Sequence, residues 1–317
     1  MKWERTRSAL PAGPFPFEAA ALGLNAVDRV LHAETYPPRG GKVAVNRVEV
    51  LPGGQSATAM AACRALGMAR VRYAGKVGDD DFGRLQLESL DRAGVDRAWV
   101  RVEPGVPSQW ADIVVDAVTG ERTIFWQRSD RLNFRPGELA DDAVLCAPVL
   151  LLDGYDGDNA LRLARGAKAR GILVVTDLDR VFPWTPDLLG FVDVCISSRE
   201  FPSELTGEPD LATALEGMAR RCPGVVGATL GPDGVAVWAG GSLHVVPACP
   251  VRAVDTTGAG DVFHGALVFG LARGWPLGRT LRFANAAAAL NCTATGARGK
   301  LVSAAEALRF AGLDGEG

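Results

Sequence analysis

Val254-Asp255-Thr256-Thr257-Gly258-Ala259-Gly260-Asp261-Val262-Phe263 is the stretch from which the rest of the chain is read. It begins where an apolar, strand-like run (His244 to Val254) stops. It ends where a helix-like run (Val262 to Ala272) starts. The small residues Gly258, Ala259 and Gly260 leave their backbone N–H groups bare. At a helix start such groups point outward, and the helix dipole adds partial positive charge. Backbone alone can thus make an anion site. Asp261 follows at once, on the first helical turn. A carboxylate beside an anion hole is repelled by a bound phosphate unless it has a task there. Accepting a proton from a hydroxyl that attacks phosphorus is such a task. The other reading is a glycine-rich turn whose Asp261 only caps the helix.

The segment Asp255-Thr256-Thr257-Gly258-Ala259-Gly260-Asp261 resembles the C-terminal signature of the ribokinase-like (PfkB-type) sugar kinases. The resemblance implies that the amides of Gly258, Ala259 and Gly260 form the anion hole and that Asp261 is the catalytic base. It also implies ATP and Mg²⁺ as cofactors.

Composition fits a globular enzyme. The chain has 317 residues, 48% hydrophobic and 22% charged, ample for a full core. No apolar run reaches the roughly 18 residues that suggest a membrane span. A net charge of −3 argues against nucleic acid as the main partner. The six cysteines lack any Cys-x-x-Cys pairing and read as free thiols in a reducing cytoplasm. The three histidines contain no His-x-x-x-His pair, which disfavours a zinc hydrolase. His264, one turn after Asp261, reads as helix packing.

In chain order, residues 1–18 read as a loose N-terminal extension and residues 19–317 as the catalytic domain. Ala19 to Leu24 is a buried strand, and Asp28 lies just past its end, where open α/β sheets bind ligands. By the resemblance, Asp28 accepts bonds from sugar hydroxyls. Val43 to Val50 reads as a half-exposed strand. Pro52-Gly53-Gly54-Gln55-Ser56-Ala57-Thr58 is a second glycine turn opening a helix. It matches the family's N-terminal signature, in which Gly53 and Gly54 let the sugar approach the backbone. Thr58 stands where most members have Asn. Gly78-Asp79-Asp80-Asp81 reads as a turn capping a helix over Phe82 to Ala93, and no Gly-Lys-Ser/Thr makes a P-loop there. Ser108 to Asp116 and Arg122 to Gln127 flank a hairpin signal at Val118 to Glu121. With the Val43 to Val50 strand they predict a small β lid from about 29–50 and 106–128, which in the family covers the sugar and offers a surface for a homodimer.

From Val149 the pattern alternates strand and helix, implying parallel βαβ units. The resemblance carries further residues. Glu200 acts on Mg²⁺ through water, with Ser197 replacing the usual Asn. Thr229, Gly231, Gly234, Thr256 and Asn285 surround the nucleotide. The segment around Asp255 and the Gly296-Ala297-Arg298-Gly299 loop form a monovalent cation site for K⁺. The expected fold is three-layer α/β/α with a mostly parallel sheet and a small β lid. The expected function is transfer of the ATP γ-phosphate to a hydroxyl of a sugar or sugar-like substrate. Asp28-Arg29, Gly41-Lys42 and the Asp255 to Ala266 stretch look like the sulfofructose kinase branch and, more loosely, ketohexokinases. Lys42, with Arg128 and Arg131, would suit an anionic substituent. A nucleoside kinase of the same fold and a sugar-binding regulator with a dead site remain alternatives. A dinucleotide dehydrogenase is disfavoured, because Gly23-Leu24-Asn25-Ala26-Val27-Asp28 lacks Gly-x-Gly-x-x-Gly.

Overall fold

The computed structural model describes residues 14–116 and 122–315. Most of the expected N-terminal extension and the hairpin turn at Val118 to Glu121 lie outside them. The strands are β1 (Ala19–Leu22), β2 (Ala26–Ala33), β3 (Val45–Gly53), β4 (Val71–Gly78), β5 (Asp96–Glu103), β6 (Trp110–Asp116), β7 (Arg122–Gln127), β8 (Val149–Leu152), β9 (Leu173–Thr176), β10 (Val194–Ser197), β11 (Val225–Thr229), β12 (Val235–Ala239) and β13 (Ser242–Val246). Nine of them form one sheet, ordered β13-β12-β11-β10-β9-β8-β1-β4-β5. From β5 to β11 every pairing is parallel, and β12 and β13 close the edge antiparallel.

Successive side chains of a strand face opposite layers. In β8, Val149 and Leu151 join one core, while Leu150 and Leu152 join the other. Helices α1 (Gln55–Ala65), α2 (Asp81–Ala93), α7 (Ala259–Ala272), α8 (Leu277–Asn291) and α9 (Ala304–Phe310) cover the first core. Helices α3 (Gly157–Ala169), α4 (Thr185–Leu189), α5 (Phe201–Thr206) and α6 (Leu211–Ala219) cover the second. A parallel sheet must be covered on both faces, and here it is. Phe17, expected in the loose extension, is instead buried against the second core under Arg70 and Arg72.

The lid is a four-stranded sheet ordered β3-β2-β6-β7. Asp28 lies on strand β2 rather than in a loop. The polar pattern of Asp28, Arg29 and His32 hid this strand, because its polar side chains serve the site and the lid. β2 follows β1 after three residues, and β3 runs into α1, so the base of the lid is built into the sheet edge. The register rows Leu51–Asp28–Ala111–Trp126 and Glu49–Val30–Ile113–Ile124 share one face. The other face carries Val48, Val50 and Phe125, all exposed.

Helices α1 and α7 cross with backbone in contact. A Cβ on Gly265 would lie 2.5 Å from the Ala59 carbonyl and 2.7 Å from the Ala62 Cβ. The Cys63 thiol donates to the Gly265 carbonyl at 3.1 Å. A Gly265→Val variant is therefore expected to lose about 1–3 kcal/mol by overpacking. Gly260 has no neighbour within 4 Å of such a Cβ, so Gly260→Ala is expected to keep or raise stability. Urea-unfolding midpoints of the two variants check the contrast.

Candidate active site

The parallel strands end at one edge, and a ligand cleft is expected outside their carboxyl ends. A cleft of about 660 Å³ lies there, walled by Gln55, Arg122, Asp177, Asp179, Glu200, Thr229, Gly231, Thr256, Gly258 to Asp261, Asn285 and others. It contains the anion turn, the proposed base and the expected nucleotide segment in one space. The residues expected to bind the acceptor, Asp28, Lys42, Gly53, Gly54, Thr58 and Arg128, are not among its walls.

Gly258 takes φ +70° at the N-terminal end of α7, a left-handed conformation that other residues rarely adopt. A Cβ there would also lie 2.6 Å from the Ala297 Cβ. Ala259 spends its N–H on the Thr256 carbonyl at 3.3 Å. Among the described residues, the amides of Gly258, Gly260 and Asp261 have no protein acceptor. The free set therefore differs from the expected trio by one residue. The room beside Gly260 is where an anion could approach.

Asp261 sits half-buried on the first turn of α7. Burial, then the Asp177 and Asp28 carboxylates, push its carboxyl up to about 8, against the pull of His264 and Arg298. Asp28 is pushed up to about 6, by burial and by Asp255, against Arg298 and Arg122. A Cβ on Gly53 would fall on the Asp28 carboxylate, so the first glycine of the N-terminal turn makes room for that side chain.

Arg298 reaches into the same region from the loop after α8. Its Nε donates to the Thr58 hydroxyl (3.1 Å), Nη1 to the Ser89 hydroxyl (2.6 Å) and Nη2 to the Gly53 carbonyl (3.0 Å). Thr58 is thus engaged by Arg298. Asp255 accepts from the Thr257 and Gly296 amides, both at 2.8 Å, and so ties the anion turn to the Gly296–Gly299 loop. Asn285 donates to the Val246 and Pro247 carbonyls (3.1 and 2.9 Å), which shapes one end of the cleft. Gly231 and Gly234 both have positive φ in the turn after β11, and the Thr229 hydroxyl donates to the Ser197 carbonyl at 3.4 Å. Glu200 is exposed on the cleft wall, and its carboxylate has no hydrogen-bond partner among the described residues.

The cations expected for an anionic substituent are exposed or engaged elsewhere. Lys42 is exposed in the segment between β2 and β3. Arg131 and Arg135 bind Glu103 at 3.2 and 2.6 Å, where Lys76 also pairs. Arg128 donates to the Ser129 and Leu132 carbonyls. The residues that sequence reasoning missed are Arg122, Asp177 and Arg298. Arg122 donates from lid strand β7 to the Thr256 hydroxyl at 3.0 Å, which puts a cation beside the anion turn. Asp177 follows the short strand β9, the same strand-end signal that singled out Asp28. Arg298 had no local signal, because its partners lie some 200 or more residues away in the chain.

The pfkB family carbohydrate kinase model matches residues 18–304. The chain belongs to the pfkB family of carbohydrate kinases. Among its relatives, the ribokinase of Bacillus subtilis is 27% identical over 88% of this chain and 94% of its own. A fructokinase of Klebsiella pneumoniae is 30% identical over 78% of this chain and 87% of its own. The crystal structure of adenosine kinase from Sinorhizobium meliloti superposes with a TM-score of 0.80, at 25% identity, over 92% of this chain and 98% of that one. This carbohydrate kinase has the three-layer fold and small lid of its relatives. Among the described residues no helix is long and apolar enough to cross a membrane, and no group of three or more His, Cys, Asp or Glu side chains could hold a metal ion.

A raised Asp261 carboxyl would set a pH dependence on a reaction that uses it as base. A general base works only when deprotonated, so activity is lost as pH falls through its pKa. At subsaturating acceptor, kcat/KM is expected to rise with pH and level off above about 8. A profile already flat from about pH 5 would contradict an Asp261 base held in its protonated form by burial.

Proposed function

We propose that Asp261 is the general base that takes the proton of an acceptor hydroxyl as that oxygen attacks the γ-phosphorus of ATP. The observation that carries this is the single cleft holding Asp261, the unpaired amides of Gly258, Gly260 and Asp261, and Arg122. Phosphoryl transfer needs positioning and charge stabilisation above all. The free amides would hold oxygens of the transferring group. Arg122, delivered by the lid, would add a cation there. Asp28 would orient the acceptor from the base of the lid, in the space that Gly53 leaves. The Thr229–Gly234 turn, Thr256 and Asn285 would frame the nucleotide.

The chemistry of the cleft suits Mg²⁺ entering with the nucleotide. Mg²⁺ keeps several waters and takes one or two carboxylates plus phosphates, and the unpartnered Glu200 is the carboxylate in place. When bound, the ion would neutralise phosphate charge. Asp255 has both carboxylate oxygens engaged by amides, so it would support K⁺ only through the loops it joins. We infer a cytoplasmic setting, supported by six free thiols. A homodimer through the outward lid face is supported by Val48, Val50 and Phe125, an exposed apolar surface of the kind that marks interfaces.

The acceptor read from the site is a neutral polyhydroxylated sugar, since the cations that act on Asp28 are already engaged, Arg298 by Thr58, Ser89 and Gly53 and Arg122 by Thr256. A nucleoside is the second reading. Trp126 lies on the inward lid face, in the same register row as Asp28, with the Arg180 guanidinium 5.0 Å from its ring centroid. That aromatic wall would suit a planar base. A panel of neutral sugars, acidic sugars and nucleosides with Mg·ATP tests both, read by ADP release and by phosphate carried on the acceptor. A neutral sugar is expected to be the best acceptor. Arg122→Ala is expected to lower kcat at least tenfold with little change in acceptor KM, because its cation acts on charge that develops in the transition state. An equal rise in acceptor KM with kcat intact would place Arg122 outside the transfer step.

A further inference from the structure

Behind Asp261 lies a pair that the proposed mechanism does not use. His264 is buried one turn along α7. Its Nδ1 lies 2.8 Å from the Gly260 carbonyl and 3.2 Å from Asp177 Oδ2. Its Nε2 lies 2.7 Å from the Ile196 carbonyl. All three neighbours present lone pairs. A neutral imidazole has one N–H and one lone pair. With the proton on Nδ1, the Nε2 lone pair would face the Ile196 carbonyl at 2.7 Å. With the proton on Nε2, the Nδ1 lone pair would face the Gly260 carbonyl at 2.8 Å, whatever the state of Asp177. Only a ring protonated on both nitrogens gives every acceptor a donor.

Asp177 is the natural counter-charge. It follows β9, lines the cleft with Asp261, and has the Gln55 side chain bonded to it. The Gln55 Oε1 is buried with no partner, which leaves an acceptor beside Asp177 awaiting a donor. We propose that Asp177 is a second carboxylate of the acceptor site, and that His264, protonated on both ring nitrogens, is the positioning residue that keeps it ionised and aimed. With the Gln55 carbonyl, Asp177 would accept bonds from two hydroxyls of a polyhydroxylated acceptor. The acceptor role rests on the kinase reading; the protonation of His264 does not.

Burial pushes the imidazole down and, together with the Asp179 and Asp153 carboxylates at the ends of β9 and β8, pushes the Asp177 carboxyl up. The contacts of the pair act against this: the Gly260 and Ile196 carbonyls, and Asp261 once ionised, pull the imidazole up, and the Gln55 side chain pulls Asp177 down. Arg298 is the cation that acts on Asp261. The Phe263 ring sits edge-on to the imidazole and adds no charge.

Nitrogen-15 NMR of the imidazoles tests the pair directly. The chain has three histidines, so His264→Gln assigns the signal. At pH 7 both His264 nitrogens are expected to carry protons, and Asp177→Asn is expected to return the ring to a neutral tautomer. A neutral His264 in the wild-type protein overturns the proposal. The second arm is acceptor affinity by calorimetry in the Asp261→Asn background, which removes the titration of the base. Adding Asp177→Asn should weaken the acceptor about tenfold or more, as expected for a lost charge-assisted hydrogen bond, and leave nucleotide affinity unchanged. Adding His264→Gln should make acceptor affinity fall as pH drops, because Asp177 then protonates in the neutral range. Unchanged acceptor affinity in the first variant, or no new pH dependence in the second, overturns it. If no acceptor in the panel is phosphorylated, the kinase reading fails, and the imidazole spectrum still decides the charge state.

Discussion

The site depends on the close crossing of α1 and α7 at Gly265. Each helix opens with a glycine turn. With no side chain at Gly265, the α7 backbone reaches Ala59 and Ala62 of α1. The two helix starts then lie close enough for Arg298 to grip Gly53 and Thr58 from the loop that packs on Gly258. A bulkier contact at the crossing would part acceptor and phosphate ends by an ångström or more. Displacements of that size are enough to cost a large part of a proximity effect.

The crossing has an electrostatic consequence. Asp28 and Asp177 both push up the carboxyl of Asp261 in a poorly solvated space. Like charges gathered this way are destabilising unless cations are interleaved. Arg298 supplies one from the C-terminal loop. Its own protonation is pulled down to about 10 by burial, opposed by Asp261 and Asp28. The imidazole of His264 supplies the second. Arg122 completes the set from lid strand β7. The charge balance of the acceptor site is therefore assembled from the lid, α7 and the loop after α8.

The legible parts of the chain were those with local patterns. A hairpin signal marked β6 and β7, and the alternation of strand and helix from Val149 marked β8 and β9. The Asp255–Asp261 turn announced both a helix start and an anion site. β2 was hidden, because Asp28, Arg29 and His32 break its apolar pattern to serve the site and the lid. The partners of Arg298 and His264 were not legible at all. Arg298 contacts residues more than 200 positions earlier, and His264 meets a carbonyl of β10. Such contacts follow from how the layers pack, and no local window contains them. Lys42 shows the converse: a basic residue next to glycine looked like an anion contact, but it is exposed between β2 and β3 and is not among the cleft walls.

The central claim is that Asp261 moves a proton. Asp261→Asn keeps the shape and hydrogen-bonding size of the side chain and removes its basicity. The decisive measurement is kcat of this variant with the best acceptor and Mg·ATP, with its unfolding midpoint measured alongside. The account predicts a fall of about 10²–10⁴-fold in kcat with the fold intact and acceptor affinity little changed. A variant that keeps most of its kcat would contradict it, and would reduce Asp261 to a helix-capping side chain that Asn replaces at little cost.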